Sequence, residues 1–298
     1  MNRRFARWKL VPVVLAAALS LAACGGSDSG GGSAGGQKDK TITIGTLSWE
    51  ESLAVTAVWK NMLEAKGYKV EVKQLDAGPA YQALSTGQID VFPEQWPNYF
   101  KSFMQKYKAD IKTVGTWYEG TDINLAVPDY VTDVNSLSDL PSHADEFGGK
   151  IVGIESGSET MKLLKSTVAP GYGLDKDYKI QASSTPAMLA AVDDAIKNKD
   201  PILVTLWRPH WAFSKYPLKA LKDPDELFGG TGVIQTVANK DLSGDHPEVT
   251  KMLSRFKLDS DQLGALELEI QAAGKGNTDA GAKKWMAENK DLVASWAP

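Results

Sequence analysis

A single cysteine, Cys24, occurs in a chain of 298 residues. That scarcity excludes an intrachain disulfide framework, a cysteine-built zinc site and an iron–sulfur cluster. Histidine is nearly as rare, with only His143, His210 and His246 present. Three leave little for a histidine-rich metal site or a cluster of general bases. Basic charge is in no excess either: 33 Lys and Arg stand against 37 Asp and Glu, a formal net charge of −4. Nucleic acid, which wants a basic face, is therefore not an expected partner. There is no phosphate-binding loop and no Gly-x-Ser-x-Gly between an expected strand and helix, where a nucleophile elbow must lie. What remains is ordinary for a globular chain, at 43% hydrophobic and 23% charged, long enough for one large domain or two smaller ones. The unusual surpluses are nine Trp and 27 Gly.

The first residues read as an address label. Arg3, Arg4, Arg7 and Lys9 form a basic region, followed by an apolar stretch over residues 10–23. That stretch is too short to span a bilayer core of ~30 Å as a helix. It ends in Leu21-Ala22-Ala23-Cys24, small residues before the lone cysteine, which resembles a bacterial lipoprotein cleavage box with Cys24 as the lipidated residue. Residues 24–39 are mostly glycine and serine, a flexible tether with little to bury. Residues 1–23 carry four basic and no acidic side chains, so their removal takes the net charge from −4 to −8. The expected product is an extracytoplasmic acidic protein held to the membrane by lipid alone.

From residue 40 onward, strand-like and helix-like segments alternate. Residues 41–46 (TITIGT) read as a strand, rich in β-branched side chains. Ser48 and Glu51 have capping-box spacing for a helix that runs to a stop at Gly67. Strands are expected at 70–75 and 89–92, with a helix over 79–85 between them. A second series follows: strands at 150–154, 179–181 and 201–206, and helices at 159–167 and 186–197. The last quarter reads as helices over 247–256, 260–273 and 280–296. Strands at 123–127 and 233–237 are the expected crossings between the series. The pattern predicts an α/β fold of two lobes, each a mostly parallel sheet flanked by helices, with a ligand cleft between them. The expected division is 40–127 with 234–298 for the first lobe and 128–233 for the second.

Three tryptophans fall at the C-terminal edges of expected strands, the ligand-bearing edge of such sheets. Trp49 follows the first strand, Trp96 follows the strand over 89–92, and Trp207 follows the strand over 201–206. Trp59, Trp285 and Trp296 lie within helices and read as packing residues. Rings from both lobes converging on a cleft suit one ligand class. A quaternary ammonium has no N–H to donate, and its methyl groups spread positive charge over an apolar surface that indole faces attract. Each such contact contributes about 0.5–2 kcal/mol, so three supply roughly 2–6 kcal/mol. Micromolar binding requires about 8 kcal/mol, so a second anchor is needed. Residues 153–158 (GIESGS) lie between a strand and a helix, where backbone N–H groups hold anions well. A ligand with a cation at one end and a carboxylate at the other fits both features.

Several stretches resemble the glycine betaine/choline (OpuAC-type) substrate-binding proteins of ABC transporters. They are residues 45–56 (GTLSWEESLAVT), 67–70 (GYKV), 77–79 (AGP), 87–96 (GQIDVFPEQW), 201–213 (PILVTLWRPHWAF) and 219–224 (KALKDP). The resemblance covers nearly all of the chain after the tether. It implies a type II periplasmic binding protein hinged between two lobes, with the ligand's ammonium in a box of Trp49, Trp96 and Trp207. It also implies that the backbone amides of Gly153 and Ile154 hold the ligand's carboxylate. Betaine-binding members can carry a carboxylate-contacting His shortly after the second Trp; here residues 97–101 (PNYFK) have none. Tyr99 or Lys101 is a candidate substitute, and Ser158 a further hydroxyl contact. Choline-binding relatives use an acid two residues after the first Trp, where Glu51 stands. His210 is a fourth candidate contact, beside Pro209 and Trp211. The family's partners are separate permease and ATPase chains. The expected protein is thus a monomeric receptor for glycine betaine or a related osmolyte, with no cofactor, no metal and no catalysis. A choline- or carnitine-selective receptor is the nearest alternative, and a hydrolase or an amino-acid receptor using the same cleft is more distant.

Overall fold

The computed structural model describes residues 40–297, and the expected leader, Cys24 and the tether lie outside the described residues. The first strand, β1 (Thr41–Thr46), is the alternating stretch read from sequence, with Ile42 and Ile44 fully buried. β2 (Lys69–Gln74) and β3 (Val91–Gln95) flank it in parallel. β2 lies at the edge of the sheet and carries Lys69, Glu71 and Lys73 there, an edge rich in charge. The helix Glu50–Ala65 crosses from β1 to β2 and ends before Gly67, whose φ of +80° a side chain would resist.

β4 (Ile111–Pro128) is a single strand of 18 residues that joins the two halves. Its first part pairs antiparallel with β9 (Gly232–Asn239), from Ile111↔Asn239 to Thr121↔Gly232. Its last part pairs antiparallel with β7 (Val204–Arg208) and β8 (Leu218–Ala220). β5 (Lys150–Val152) and β6 (Lys179–Gln181) run parallel to each other, and β5 runs parallel to β7. The two sheets therefore read β2-β1-β3-β9-β4 and β4-β7-β5-β6. Each lobe has three parallel strands bordered by antiparallel ones. β9 was expected to cross between the lobes, but it pairs only with β3 and the first part of β4.

The helices Ser260–Ala273 and Thr278–Glu288 pack on the helix Glu50–Ala65, with an ion pair from Lys60 to Asp279. Phe256 anchors this region: its ring lies 5.5 Å from Trp59, 4.5 Å from Trp296 and 6.1 Å from Trp117. The helix expected over 280–296 breaks instead into Thr278–Glu288 and Lys290–Ser295. Asn289 sits at the break, its side-chain amide donating to the Trp285 carbonyl at 2.8 Å, as polar side chains that compete with the helix ladder do. No helix among the described residues is long and apolar enough to cross a membrane.

Candidate functional site: an indole cage

The turn after β1 shows how the chain aims its first ring. The expected capping box of Ser48 and Glu51 does not form; Trp49 itself precedes the helix, in extended conformation and without a side-chain cap. Buried Ser52 clamps the turn instead. Its hydroxyl accepts from the Leu47 N–H at 3.0 Å and lies 2.9 Å from the Thr46 hydroxyl. Trp96 stands directly after β3 and before the helix Pro97–Lys106, whose leading proline needs no hydrogen bond. Its indole N–H donates to the Glu94 carboxyl at 2.7 Å. Trp207 lies within β7 rather than beyond it, cross-strand from Ile123.

The three rings converge. Trp49 lies 6.3 Å from Trp96 at 86° and 6.1 Å from Trp207 at 49°. The Phe100 ring stacks on Trp49 at 13° and 6.4 Å. With Ile123, Ile154 and Thr160 the indoles line a cavity of about 20 Å³, about the room one water needs. Rings at nearly right angles present faces to a common point, which is how aromatic cages meet a cation. Ile123 and Thr160 had no signal in the sequence; each lies beside a motif, one opposite Trp207 and one at the head of the helix Glu159–Leu163. Of the six lining residues Thr160 alone carries a hydroxyl. Among the described residues no group of three or more His, Cys, Asp or Glu could hold a metal ion.

Gly153 differs from its expected role. Its N–H donates to the Gln181 carbonyl at 2.8 Å, extending the β5–β6 ladder, and is not free for a carboxylate. The glycine is needed for packing: a Cβ there would lie 2.3 Å from the Met161 sulfur. Ile154, the other residue of the expected pair, does line the cavity. Ser158 caps the following helix, its hydroxyl accepting from the Met161 N–H at 3.2 Å, and faces a wider groove beside the cage. That groove, of about 650 Å³, runs between Ser48, Trp49 and Asp76 on one side and Ser156, Ser158 and Lys162 on the other.

The remaining candidates stand one layer out from the cavity wall. Tyr99 packs against Trp96 at 6.1 Å and donates its hydroxyl to the Phe228 carbonyl at 2.8 Å. His210 sets its ring perpendicular to Trp207 at 4.7 Å. Its Nδ1 accepts from the Ala212 N–H at 3.0 Å, which places the proton on Nε2, 3.6 Å from Glu50 Oε2. Glu51 is fully buried, and burial first, then Glu94 and Glu267, push its carboxyl well above the ordinary range.

Two lobes with a cage where their strand ends meet are the mark of a type II periplasmic binding protein, a class built to hold a small solute. Comparison with known proteins narrows the class. Residues 40–288 match the OpuAC family, the substrate binding domain of ABC-type glycine betaine transport systems, and the chain belongs to that family. It is 33% identical to the glycine betaine/L-proline-binding protein ProX of Borrelia burgdorferi, with a TM-score of 0.80 over 87% of this chain and 97% of that one. Lactococcal OpuAC, crystallised closed with glycine betaine, is 32% identical with a TM-score of 0.79, over 87% of this chain and 100% of that one. The glycine betaine/carnitine transport binding protein GbuC of Listeria monocytogenes is 34% identical over 146 residues, 49% of this chain and 48% of that protein. The chain thus spans about half the length of that curated relative.

Proposed function

We propose that this protein is the lipid-anchored receptor of an ABC importer and captures glycine betaine or a closely related quaternary ammonium osmolyte. The observation that carries the reading is the convergence of Trp49, Trp96 and Trp207, from both lobes, on one cavity. The methylated nitrogen packs among the indole faces. The carboxylate is received by the Ile154 N–H and Thr160, which takes the place of the occupied Gly153 amide. Closure then presents the surface a permease reads. The hinge passes through β4 and the segment before β9, dividing residues 40–127 and 234–298 from 128–233. Cys24, once lipidated, tethers the monomer outside the cell membrane; a Cys24→Ser variant is released into the soluble fraction. The bound solute is handed on intact, and no residue acts as a catalyst.

Calorimetry with glycine betaine, proline betaine, carnitine and choline tests the reading. Micromolar binding of a betaine, with the ligand recovered unchanged, is the expected result. Tighter binding of choline than of any betaine would reassign the solute. No heat and no shift in melting temperature with any of the four at millimolar concentration would end the receptor assignment.

A further inference from the structure

Three carboxyls are sealed into the molecule just outside the cage. Glu51 and Glu94 are fully buried and Glu267 is 2% exposed. Apart from the Glu94 oxygen that accepts from Trp96, none of their oxygens meets a donor at hydrogen-bonding geometry. The Trp211 amide lies toward Glu267 without reaching that geometry. Glu50 joins the set, with His210 3.6 Å from one of its oxygens. Burial bears most on Glu51 and Glu267; Glu94, Glu267, the Glu51 amide and Glu50 follow on Glu51, and Glu50, the Trp211 amide and Glu94 on Glu267. No lysine or arginine is among those leading influences. Tyr81 and Tyr118 also face the set, the first toward Glu94 and the second toward Glu267, and burial keeps both protonated well past neutrality.

This arrangement is poor structural chemistry unless it serves the ligand. Unpaired carboxyls out of water are costly to ionise, and like charges in one nest cannot all ionise together. Each cage ring nevertheless has a link to the nest, two directly and one through His210. Trp49 is followed by Glu50 and Glu51, Trp96 donates to Glu94, and Trp207 abuts His210, which faces Glu50. Negative charge beyond the indoles deepens the potential that a cation feels at their faces. A cation in the cage in turn favours ionisation of the nest. By linkage, capture of the cation and loss of a proton then reinforce each other.

We propose that the nest of Glu51, Glu94 and Glu267 sets the cage's selectivity for a cation, that cation capture expels a proton from it, and that Glu94 also positions Trp96. The proposal rests on the quaternary ammonium reading above. Burial pushes Glu94 up to about 8, its hydrogen bond from Trp96 offsetting part of the rise, which brings the exchange into an accessible range of pH.

The test is calorimetry from about pH 6 to about pH 9, a window in which neither probe titrates. Tetramethylammonium and glycine betaine are titrated in pairs of buffers that differ in ionisation enthalpy. Affinity for both is expected to rise about tenfold across the window with measurable proton release. Glu94→Gln keeps an acceptor for the Trp96 N–H and removes the charge; it is expected to flatten the slope and to weaken both probes about fivefold at the alkaline end. Glu267→Gln, judged alongside for folding by melting temperature, is expected to flatten it likewise. His210 faces the same nest through Glu50, so the two variants decide the point. A pH-flat wild type without proton release, or unchanged slopes in both variants, would overturn the proposal while leaving the receptor intact. Failure of the wild type to bind either probe at any pH would overturn both.

Discussion

The two lobes share a plan and divide the labour. Each is built on three parallel strands with the first in the middle, β2-β1-β3 in one and β6-β5-β7 in the other. The turn after the central strand and the end of the third strand face the cleft in both. In the first lobe those two positions carry Trp49 and Trp96; in the second they carry the Gly153–Ser158 turn and Trp207. The first lobe and the helices packed on it also hold the three buried carboxyls Glu51, Glu94 and Glu267, whereas the second buries Thr160, Thr185, Thr205 and His210. Topology fixes where a ligand can be met, and the side chains at those points decide which end of it each lobe takes. In the proposed function the first lobe takes the cation, and the second contributes backbone, a hydroxyl and one closing ring.

Removing rings one at a time sharpens that division. Trp49 touches both other indoles and is backed by Phe100, so Trp49→Ala should have the largest effect, about a hundredfold loss of betaine affinity. Trp207 is the second lobe's only indole in the cage. Its ring N–H has no hydrogen-bond partner, in contrast to the Trp96 N–H held by Glu94. Trp207→Ala should cost at least about tenfold in affinity; because the ring is buried, the melting temperature of the ligand-free protein should fall as well. Wild-type affinity in Trp207→Ala would mean that the first lobe binds alone, and the division would fall.

The Gly153 turn breaks the comparison from the other side, because there the expected effect is on folding. A methyl group placed 2.3 Å from the Met161 sulfur forces that side chain to move. Gly153→Ala should cost about 1–2 kcal/mol in chemical denaturation, and adding Met161→Ala, at a fully buried side chain, should cost less than the sum of the two single changes. A fully stable Gly153→Ala with lost betaine binding would restore the residue to the binding machinery.

The residues themselves announced more of the fold than of the site's surroundings. β1 and the helix after it were legible because the period changes cleanly from two to nearly four between Thr46 and Leu53. The first part of β4 was not, since register shifts at Thr113/Gly115, Thr116/Tyr118 and Glu119/Thr121 destroy strict alternation. The apolar run at 201–206 points to a strand a few residues ahead of β7, which Trp207 and Arg208 complete. The three cage indoles were visible as rings at strand ends, a local signal. Glu94 and Glu267 were not, because a carboxylate in sequence reads as surface and only tertiary packing seals it away. Thr160 was missed for a similar reason: its role depends on the helix start aiming at a ring 47 residues further along the chain.

Ser158 offers the mildest and most discriminating change. The first-lobe turn has no side-chain cap at its helix, since Trp49 occupies the capping position, whereas in the second lobe the Ser158 hydroxyl accepts from the Met161 N–H. If that hydroxyl serves the helix and not the ligand, Ser158→Ala removes a cap and nothing else. Stability should drop by about 1 kcal/mol, while betaine affinity measured by calorimetry on the folded protein stays within about twofold of wild type. Thr160→Val, one turn position further on and on the cavity wall, should do the reverse and weaken betaine while sparing tetramethylammonium, which has no carboxylate to satisfy. A pair of variants that fail to separate in this way would show that the second lobe's turn acts as one unit, and that capping and carboxylate binding are not divided between neighbouring hydroxyls.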